Sequence, residues 1–187
     1  MKVLGIDGSL SKGGRTMRVL QVAIDGAKEA GADTELLDLR DYSIDFCDAR
    51  DDFESYSSDT VKAGNIIKSA EALLVVTPIY NASYTGVLKN LFDVVPVSYY
   101  SGKVVGLMAT SDRTNFPLAV ERLRQLFTFA GSLSVPGQVT LTNEEVENIY
   151  SKHTDFKDRL LRLGRNVVNL SKVLKDAEIP FGRPRGA

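Results

Sequence analysis

The sequence predicts an α/β protein, in which a doubly wound parallel sheet carries helices on both faces to form three layers. Short apolar runs rich in β-branched residues alternate with longer amphipathic segments, which is the pattern of repeated βαβ units. Two of these runs are apolar almost throughout, as expected of parallel strands covered on both sides. A chain of 187 residues with 43% hydrophobic and 25% charged residues fits one globular domain.

The apolar runs predict five strands. The third and fourth should be central, because their cores read Leu-Leu-Val-Val and Val-Val-Gly-Leu-Met without interruption. The fifth run is weaker than the others. The predicted strands are Lys2 to Ile6, Asp33 to Asp38, Leu73 to Thr77, Val104 to Ala109 and Leu133 to Val135.

Helical spacing of apolar residues follows the polar loops. A first helix, ending at Gly31, is predicted from the face formed by Met17, Leu20, Ile24 and Ala27. Another, closed by Pro96, is predicted from Val87, Leu88, Leu91, Phe92 and Val95. Further helices are predicted over residues 59–71 and from Phe116, whereas the acidic and irregular stretch 41–58 predicts a surface loop without chemistry.

The last helix carries an apolar stripe at spacings of four and three residues. Its members are Phe156, Leu160, Leu163, Val167, Leu170 and Leu174, and the helix should end before Pro180. The stripe predicts a helix that covers the sheet, and its length leaves a subunit interface as the alternative. We expect the domain to span residues 1–180 and residues 181–187 to form a flexible tail.

Composition excludes several classes of function. The net charge of -1 provides no global positive field for a nucleic acid or an acidic membrane. A single cysteine, Cys47, and a single histidine, His153, exclude multi-cysteine metal sites and make metal catalysis improbable, and Cys47 is expected to be an inert thiol. No run of 18 apolar residues occurs and the amino terminus lacks a signal-peptide pattern, so we expect a cytoplasmic protein.

The loop after the first strand has the composition of a phosphate site. It offers hydroxyl groups, the charged donors of Arg15, glycines that let amides converge, and the positive end of the first helix. Arg15 should contribute most, since a charged hydrogen bond is worth roughly 1.5 to 3 kcal/mol and a helix end about 0.3 to 1 kcal/mol. An ordinary Gly/Ser turn is the alternative. The candidate residues are Ser9, Ser11, Gly13, Gly14, Arg15 and Thr16.

Two known phosphate motifs do not fit this loop. Gly8 and Gly13 have the spacing of a Walker loop, but Gly14 and Arg15 stand where Lys and Ser or Thr are required. The glycines also fall outside the G-x-G-x-x-G dinucleotide pattern. The loop therefore predicts a site for a single phosphate group.

Two further loops follow the third and fourth strands. In the first of them Pro78 stiffens the strand exit, Tyr80 offers an aromatic face, and Asn81 offers both donors and acceptors, which together suit a flat heterocycle. The stretch Thr110 to Asn115 clusters polar groups that could close over the same ligand. Capping of the helices that follow is the alternative function for both loops.

These loops resemble those of the NAD(P)H-dependent FMN reductase family. The resemblance rests on Gly8-Ser9 and above all on the segment from Thr77 to Ser83, which is followed by Gly-Val-Leu-Lys-Asn at 86–90 and by Asp93. It covers roughly Lys2 to Val135 and is closest in motif to the sulfonate-starvation type. It implies a flavodoxin-like fold with strand order 2-1-3-4-5.

The resemblance also implies where FMN is held. The phosphate would lie on Ser9, Ser11, Arg15 and Thr16, and the isoalloxazine edge on Pro78, Ile79, Tyr80 and Asn81, with Ser111 and its neighbours approaching the ring. Many members carry Arg in place of Ser11 and Glu in place of Ile79. Asp7 stands where members often have Ser, so it should point away from the phosphate or weaken its binding. The remaining implied cofactor-binding residues are Gly13, Gly14, Ser83, Asp112 and Arg113.

The predicted function is transfer of hydride from NADPH or NADH to FMN and onward to free flavin, a quinone, an azo dye or another small acceptor. No catalytic residue and no metal ligand is predicted, because the flavin supplies the chemistry. The resemblance implies a homodimer or homotetramer and a flavin-dependent monooxygenase as recipient. An FMN electron carrier and a flavin-free binding domain are the alternatives, although carriers use more acidic surfaces than a charge of -1 provides.

Overall fold

The computed structural model describes residues 1–112, 117–150 and 155–182, and the described strands form a single parallel sheet. Its strand order, β2-β1-β3-β4-β5 with β6 beside β4, confirms the predicted doubly wound topology. His153, Arg113 and residues 183–187 lie outside the described part of the chain. The strands are β1 (Lys2–Asp7), β2 (Asp33–Asp38), β3 (Ala72–Pro78), β4 (Val104–Ser111), β5 (Leu133–Ser134) and β6 (Val139–Thr142).

Helices connect the strands across both faces of the sheet. They are α1 (Arg15–Glu29), α2 (Ser58–Ser69), α3 (Gly86–Val94), α4 (Pro117–Phe129), α5 (Asn143–Glu147) and α6 (Asp155–Asp176). Gly31 follows the first helix with φ +82°, and its amide donates to the Lys28 carbonyl. Pro96 follows α3, as predicted. The helix expected from Phe116 begins at Pro117 in the described chain, since Phe116 lies outside it.

All five predicted strands are present, and a sixth is added because two short strands share the edge position beside β4. β5 pairs with Val104 and Val105, whereas β6 pairs with the stretch Met108–Ser111 at the other end of β4. Pro136 and Gly137 lie between the two strands, and a proline cannot donate to the ladder while Gly137 adopts φ +84°. β6 and α5 were not predicted, since four and five residues are too few to show a period.

Two apolar layers sandwich the sheet. On one side Leu73 and Val75 of β3 pack with buried residues of α2, α3 and α4. On the other side Leu74 and Val76 pack with α1, α5 and α6. The alternation follows from the period of two in a strand, which sends successive side chains to opposite faces.

Helix α6 lies on the second of these layers. Leu160, Leu163 and Val167 are fully buried, and the other members of the predicted stripe, Phe156, Leu170 and Leu174, pack against the same cluster. The stripe therefore covers the sheet of its own chain. No helix in the described ranges is long and apolar enough to cross a membrane.

The segment between β2 and α2 is irregular, as predicted, but it is anchored. Phe53 and Tyr56 are buried in the core, and the Asp45 carboxylate accepts from the Ser57 amide at 2.7 Å and the Thr60 hydroxyl at 2.9 Å. Cys47 is half-buried, and its amide donates to the Asn90 side chain at 2.9 Å. The segment thus packs over α2 and α3.

Candidate functional site

A cavity of about 200 Å³ opens at the carboxyl ends of β1, β3 and β4. This is the place where the chain reverses its winding direction, because β1 lies between β2 and β3. Ligands of open α/β sheets bind at such a point. The cavity is lined by Ser9, Ser11, Arg15, Thr16, Pro78, Ile79, Tyr80, Thr110, Ser111, Asp112 and Asn143.

The start of the first loop is fixed by its neighbours. The Gly8 amide donates to the Val76 carbonyl at 2.9 Å, and the Thr85 hydroxyl donates to the Gly8 carbonyl at 2.6 Å. A Cβ at Gly8 would lie 3.0 Å from the Val76 oxygen and 3.1 Å from the Leu88 side chain. Glycine is therefore required where the loop passes β3 and α3.

The loop then folds through two hydroxyl-centred turns. The Ser11 amide donates to the Ser9 hydroxyl oxygen at 3.1 Å, and the Gly13 amide donates to the Ser11 hydroxyl oxygen at 3.3 Å. Gly14 precedes α1 with φ +61° and provides no side-chain cap. No side chain therefore caps the first amides of α1, and the Thr16 hydroxyl lies in the same turn. Uncapped amides at a helix start form a suitable binding site for an anion.

Arg15 lines the cavity and shares its charge with an acidic side chain. Glu147, on α5, accepts from Arg15 Nε at 3.2 Å and from both terminal nitrogens of Arg18 at 2.9 and 3.1 Å. Hydrogen bonds from Arg18 and Arg15 lower the pKa of the Glu147 carboxyl. Asn143, from the same helix, lines the cavity. Sequence reasoning missed both α5 residues, because no motif marks a polar side chain on so short a helix.

The second loop holds a strained turn. The amide and carbonyl groups of Tyr80 and Ser83 exchange hydrogen bonds of 2.9 and 3.0 Å, and the two residues between them, Asn81 and Ala82, have φ +50° and +62°. A left-handed conformation costs a non-glycine residue roughly 1–2 kcal/mol, and such strain is concentrated at functional sites. Tyr80 remains 54% exposed at the rim of the cavity.

The structure brings together most of the predicted site residues. Nine of them line the cavity, and Thr110 and Asn143 complete its lining. Gly13, Gly14, Asn81 and Ser83 lie in the same loops but do not line it, although they shape the backbone of those that do. Arg113 lies outside the described residues.

Asp7 ends β1 directly beneath the first loop. Its side chain is buried, Oδ1 accepts from the Ser9 amide at 3.1 Å, and Oδ2 has no hydrogen-bond partner among the described residues. Burial raises the pKa of this carboxyl to about 6, although the Thr16 hydroxyl acts in the opposite direction and lowers the pKa. Asp7 was expected either to point away from the phosphate or to weaken its binding, and the structure holds its carboxyl against the Ser9 amide of the loop.

A larger cavity, of about 440 Å³, lies at the opposite end of the strands, around Lys103 and Phe181. The buried ammonium group of Lys103 already donates to the carbonyls of Ile67, Lys68 and Ala70, so it caps the end of α2. The described residues contain no cluster of side chains that could hold a metal ion. The convergence of hydroxyl groups on the uncapped amino end of α1 favours the smaller cavity as the functional site.

Known proteins with similar sequences and folds identify the family of this chain. A family model described as NADPH-dependent FMN reductase matches residues 1–146. The NAD(P)H-dependent FAD/FMN reductase of Geobacillus thermodenitrificans is 32% identical over 182 residues, covering 96% of this chain and 98% of that protein. The NADH-dependent FMN reductase SfnF of Pseudomonas putida is 33% identical over 142 residues, covering 73% and 74%. A flavodoxin from the domain Archaea superposes with a TM-score of 0.65 at 16% identity, covering 92% and 99%, and shows the same fold.

Proposed function

Because the chain belongs to the NADPH-dependent FMN reductase family, we propose that it holds FMN in the cavity above β1 and β3 during reduction by NAD(P)H. It is an NAD(P)H-dependent flavin oxidoreductase. The proposal places the FMN phosphate at the start of α1 and the ring against the loop from Pro78 to Ser83. The observation that carries it is the convergence of hydroxyl groups on an uncapped helix amino end at the switch point of the sheet.

The donor set fits a phosphate. Ser9, Ser11 and Thr16 contribute hydroxyls, α1 contributes its first amides, and Arg15 contributes the terminal nitrogens that Glu147 does not engage. Such groups bind a dianion without a metal ion. These residues therefore suit the phosphate end of FMN.

The size of the cavity supports a position for the ring at its rim. A volume of about 200 Å³ lies below the roughly 300–1,000 Å³ of pockets that enclose a drug-sized ligand. It suits the phosphate and the ribityl chain, so the ring would lie at the rim beside Tyr80. A ring at the rim would leave one face open to a nicotinamide.

The protein's part in the reaction is to bind and orient. FMN supplies the redox chemistry when bound, since its ring takes up a hydride from NADPH or NADH. The exits of β3 and β4 would hold the ring edge, because the Ile79 amide donates to the Thr110 carbonyl at 2.8 Å and ties the two loops together. Fixing two reactants in this way can supply most of the acceleration that hydride transfer needs.

The acceptor and the assembly are also proposals. An exposed ring face would pass electrons to free flavin, a quinone or an azo compound, and reduced flavin could serve a monooxygenase. We further propose a cytoplasmic homodimer or homotetramer, which light scattering after size exclusion would test. A lone half-buried cysteine is compatible with a reducing compartment.

The proposal is tested by adding FMN to the purified protein and following nicotinamide oxidation at 340 nm. We expect a perturbed flavin spectrum and FMN-dependent oxidation of NADPH or NADH. Binding of FMN without oxidation of either nicotinamide would favour an electron carrier instead. Absence of any flavin binding would overturn the site.

A further inference from the structure

The Asp7 carboxyl sits beneath the phosphate loop without a cation of its own. Its side chain is 1% exposed, its Oδ1 is tied to the Ser9 amide, and its Oδ2 has no partner within the described ranges. Ser9 and Thr16, the two neighbours of the carboxyl, both line the cavity. An ionised Asp7 carboxylate would therefore lie close to any phosphate that Ser9 and Thr16 bind.

The three arginines around the loop are already paired with acids, whereas Lys12 is exposed on the loop itself. Glu147 engages Arg15 and Arg18, and Asp38 forms a close pair with Arg40. Arg40 also reaches the Ser11 carbonyl at 3.4 Å, so this pair borders the loop. The arginine charges are therefore shared with acids before a phosphate dianion and a negative Asp7 are brought together.

We propose that FMN binding is linked to uptake of one proton by Asp7, so that the affinity for FMN falls as the pH rises through neutrality. The inference rests on the proposed function, because it takes the phosphate to lie at the start of α1. The proton comes from the solvent and converts the carboxylate to a neutral acid. No other bond forms or breaks.

The direction follows from the groups that face Asp7. Burial is the largest influence and raises its pKa, Asp38 on β2 raises it further, and Thr16, the Ser9 amide and Arg40 lower it. The result is a pKa of about 6 without ligand. A bound dianion adds a negative charge nearby and raises the pKa again.

Two pH ranges follow. Below about pH 6 the acid is neutral with or without FMN, so Asp7 does not weaken FMN binding. Between the free and the bound pKa the affinity falls about tenfold for each pH unit. At neutral pH FMN would thus exchange readily, as a substrate does, rather than stay as a tightly held cofactor.

The test measures FMN affinity by flavin fluorescence between pH 5 and pH 8.5 for the wild type, Asp7→Asn and Asp7→Ser. Asp25→Asn is the matched control, because it removes one negative charge from an exposed position on α1. Riboflavin, which lacks the phosphate, is the control ligand. The phosphate of FMN titrates near pH 6 in every variant, so differences between variants isolate Asp7.

At pH 8 we expect the affinity of both Asp7 variants for FMN to exceed that of the wild type by about tenfold or more. At pH 5 the affinities of the variants and the wild type should be equal. Asp25→Asn should follow the wild type, and riboflavin should show no difference. Calorimetry at pH 7 in two buffers of different ionisation enthalpy measures the number of protons taken up when FMN binds. The wild type should take up about half a proton or more in excess of the number taken up by Asp7→Asn.

A second readout needs no ligand. Asp7→Asn should raise the melting temperature at pH 7 but not at pH 4, since the buried acid is ionised only in the first case. Equal proton counts and parallel pH profiles for wild type and variants would overturn the inference while leaving the flavin site intact. Failure of every variant to bind FMN at any pH would instead overturn the proposed function.

Discussion

Arg15 stands at the mouth of the cavity with about half of its side chain exposed and with Nε engaged by Glu147. Its remaining nitrogens can meet a phosphate while the ion pair fixes the guanidinium plane. An arginine held in this way loses little conformational freedom when a ligand arrives. The partner acid therefore orients the arginine as well as sharing its charge.

Replacing Arg15 by alanine should weaken FMN binding about tenfold to a hundredfold, because a charged hydrogen bond of roughly 1.5 to 3 kcal/mol is lost. Flavin fluorescence titration measures the change. Arg18→Ala is the matched control, since Arg18 shares Glu147 but does not line the cavity. An equal loss in both variants would show that the phosphate is held elsewhere.

Among the elements, α1 and α6 approach each other through two glycines. A Cβ at Gly164 would lie 1.9 Å from the Ala23 carbonyl oxygen, and one at Gly26 would lie 2.1 Å from the Leu161 carbonyl oxygen. No side-chain rotation can relieve such contacts, because each involves the backbone of the other helix. This crossing brings α6 close enough to seal the sheet.

We expect Gly164→Ala to lower the free energy of unfolding by about 2 kcal/mol or more, since overpacking against backbone costs 1–3 kcal/mol or more. For a chain of this size the melting temperature should fall by roughly 5 °C or more. Gly86→Ala on α3 is the control, because nothing lies within 4 Å of its added Cβ. Similar melting curves for the two variants would contradict the close crossing.

The short elements β6 and α5 matter to the site more than their lengths suggest. β6 pairs with the carboxyl end of β4, and α5 follows it at once, starting with a capping box at Thr142. This arrangement brings Asn143 to the cavity and Glu147 to the two arginines of α1. The segment formed by β6 and α5 thus adds two polar side chains to the loops around the cavity.

At the scale of the whole molecule, α6 closes one of the two apolar layers although the family match ends at residue 146. A chain truncated after Tyr150 would expose the buried face that Leu160, Leu163 and Val167 now cover. We expect it to lose cooperative thermal unfolding by circular dichroism. A chain ending at Gly182 should unfold like the full protein, and a cooperative transition in both would show that α6 is dispensable.

Much of the fold could be read from local patterns. The runs that became β1 to β4 and the periodic segments that became α1, α3 and α6 are long enough for their periods to be visible. The loops after β1, β3 and β4 could be named as the site, because ligands bind at the carboxyl ends of such strands. The sixth strand escaped because Pro136 and Gly137 divide the edge into pieces of two and four residues.

By itself, the sequence determined the layers, the main strands and the composition of the phosphate loop, since periodicity and turn residues act over a few neighbours. The strand order came only from the resemblance to a known family. Only the tertiary structure decided that Glu147 meets Arg15 across 132 residues and that Asp7 is enclosed without a cation. Burial and pairing of charges depend on which distant segments pack together. The charge balance of the site is therefore a property of the folded chain.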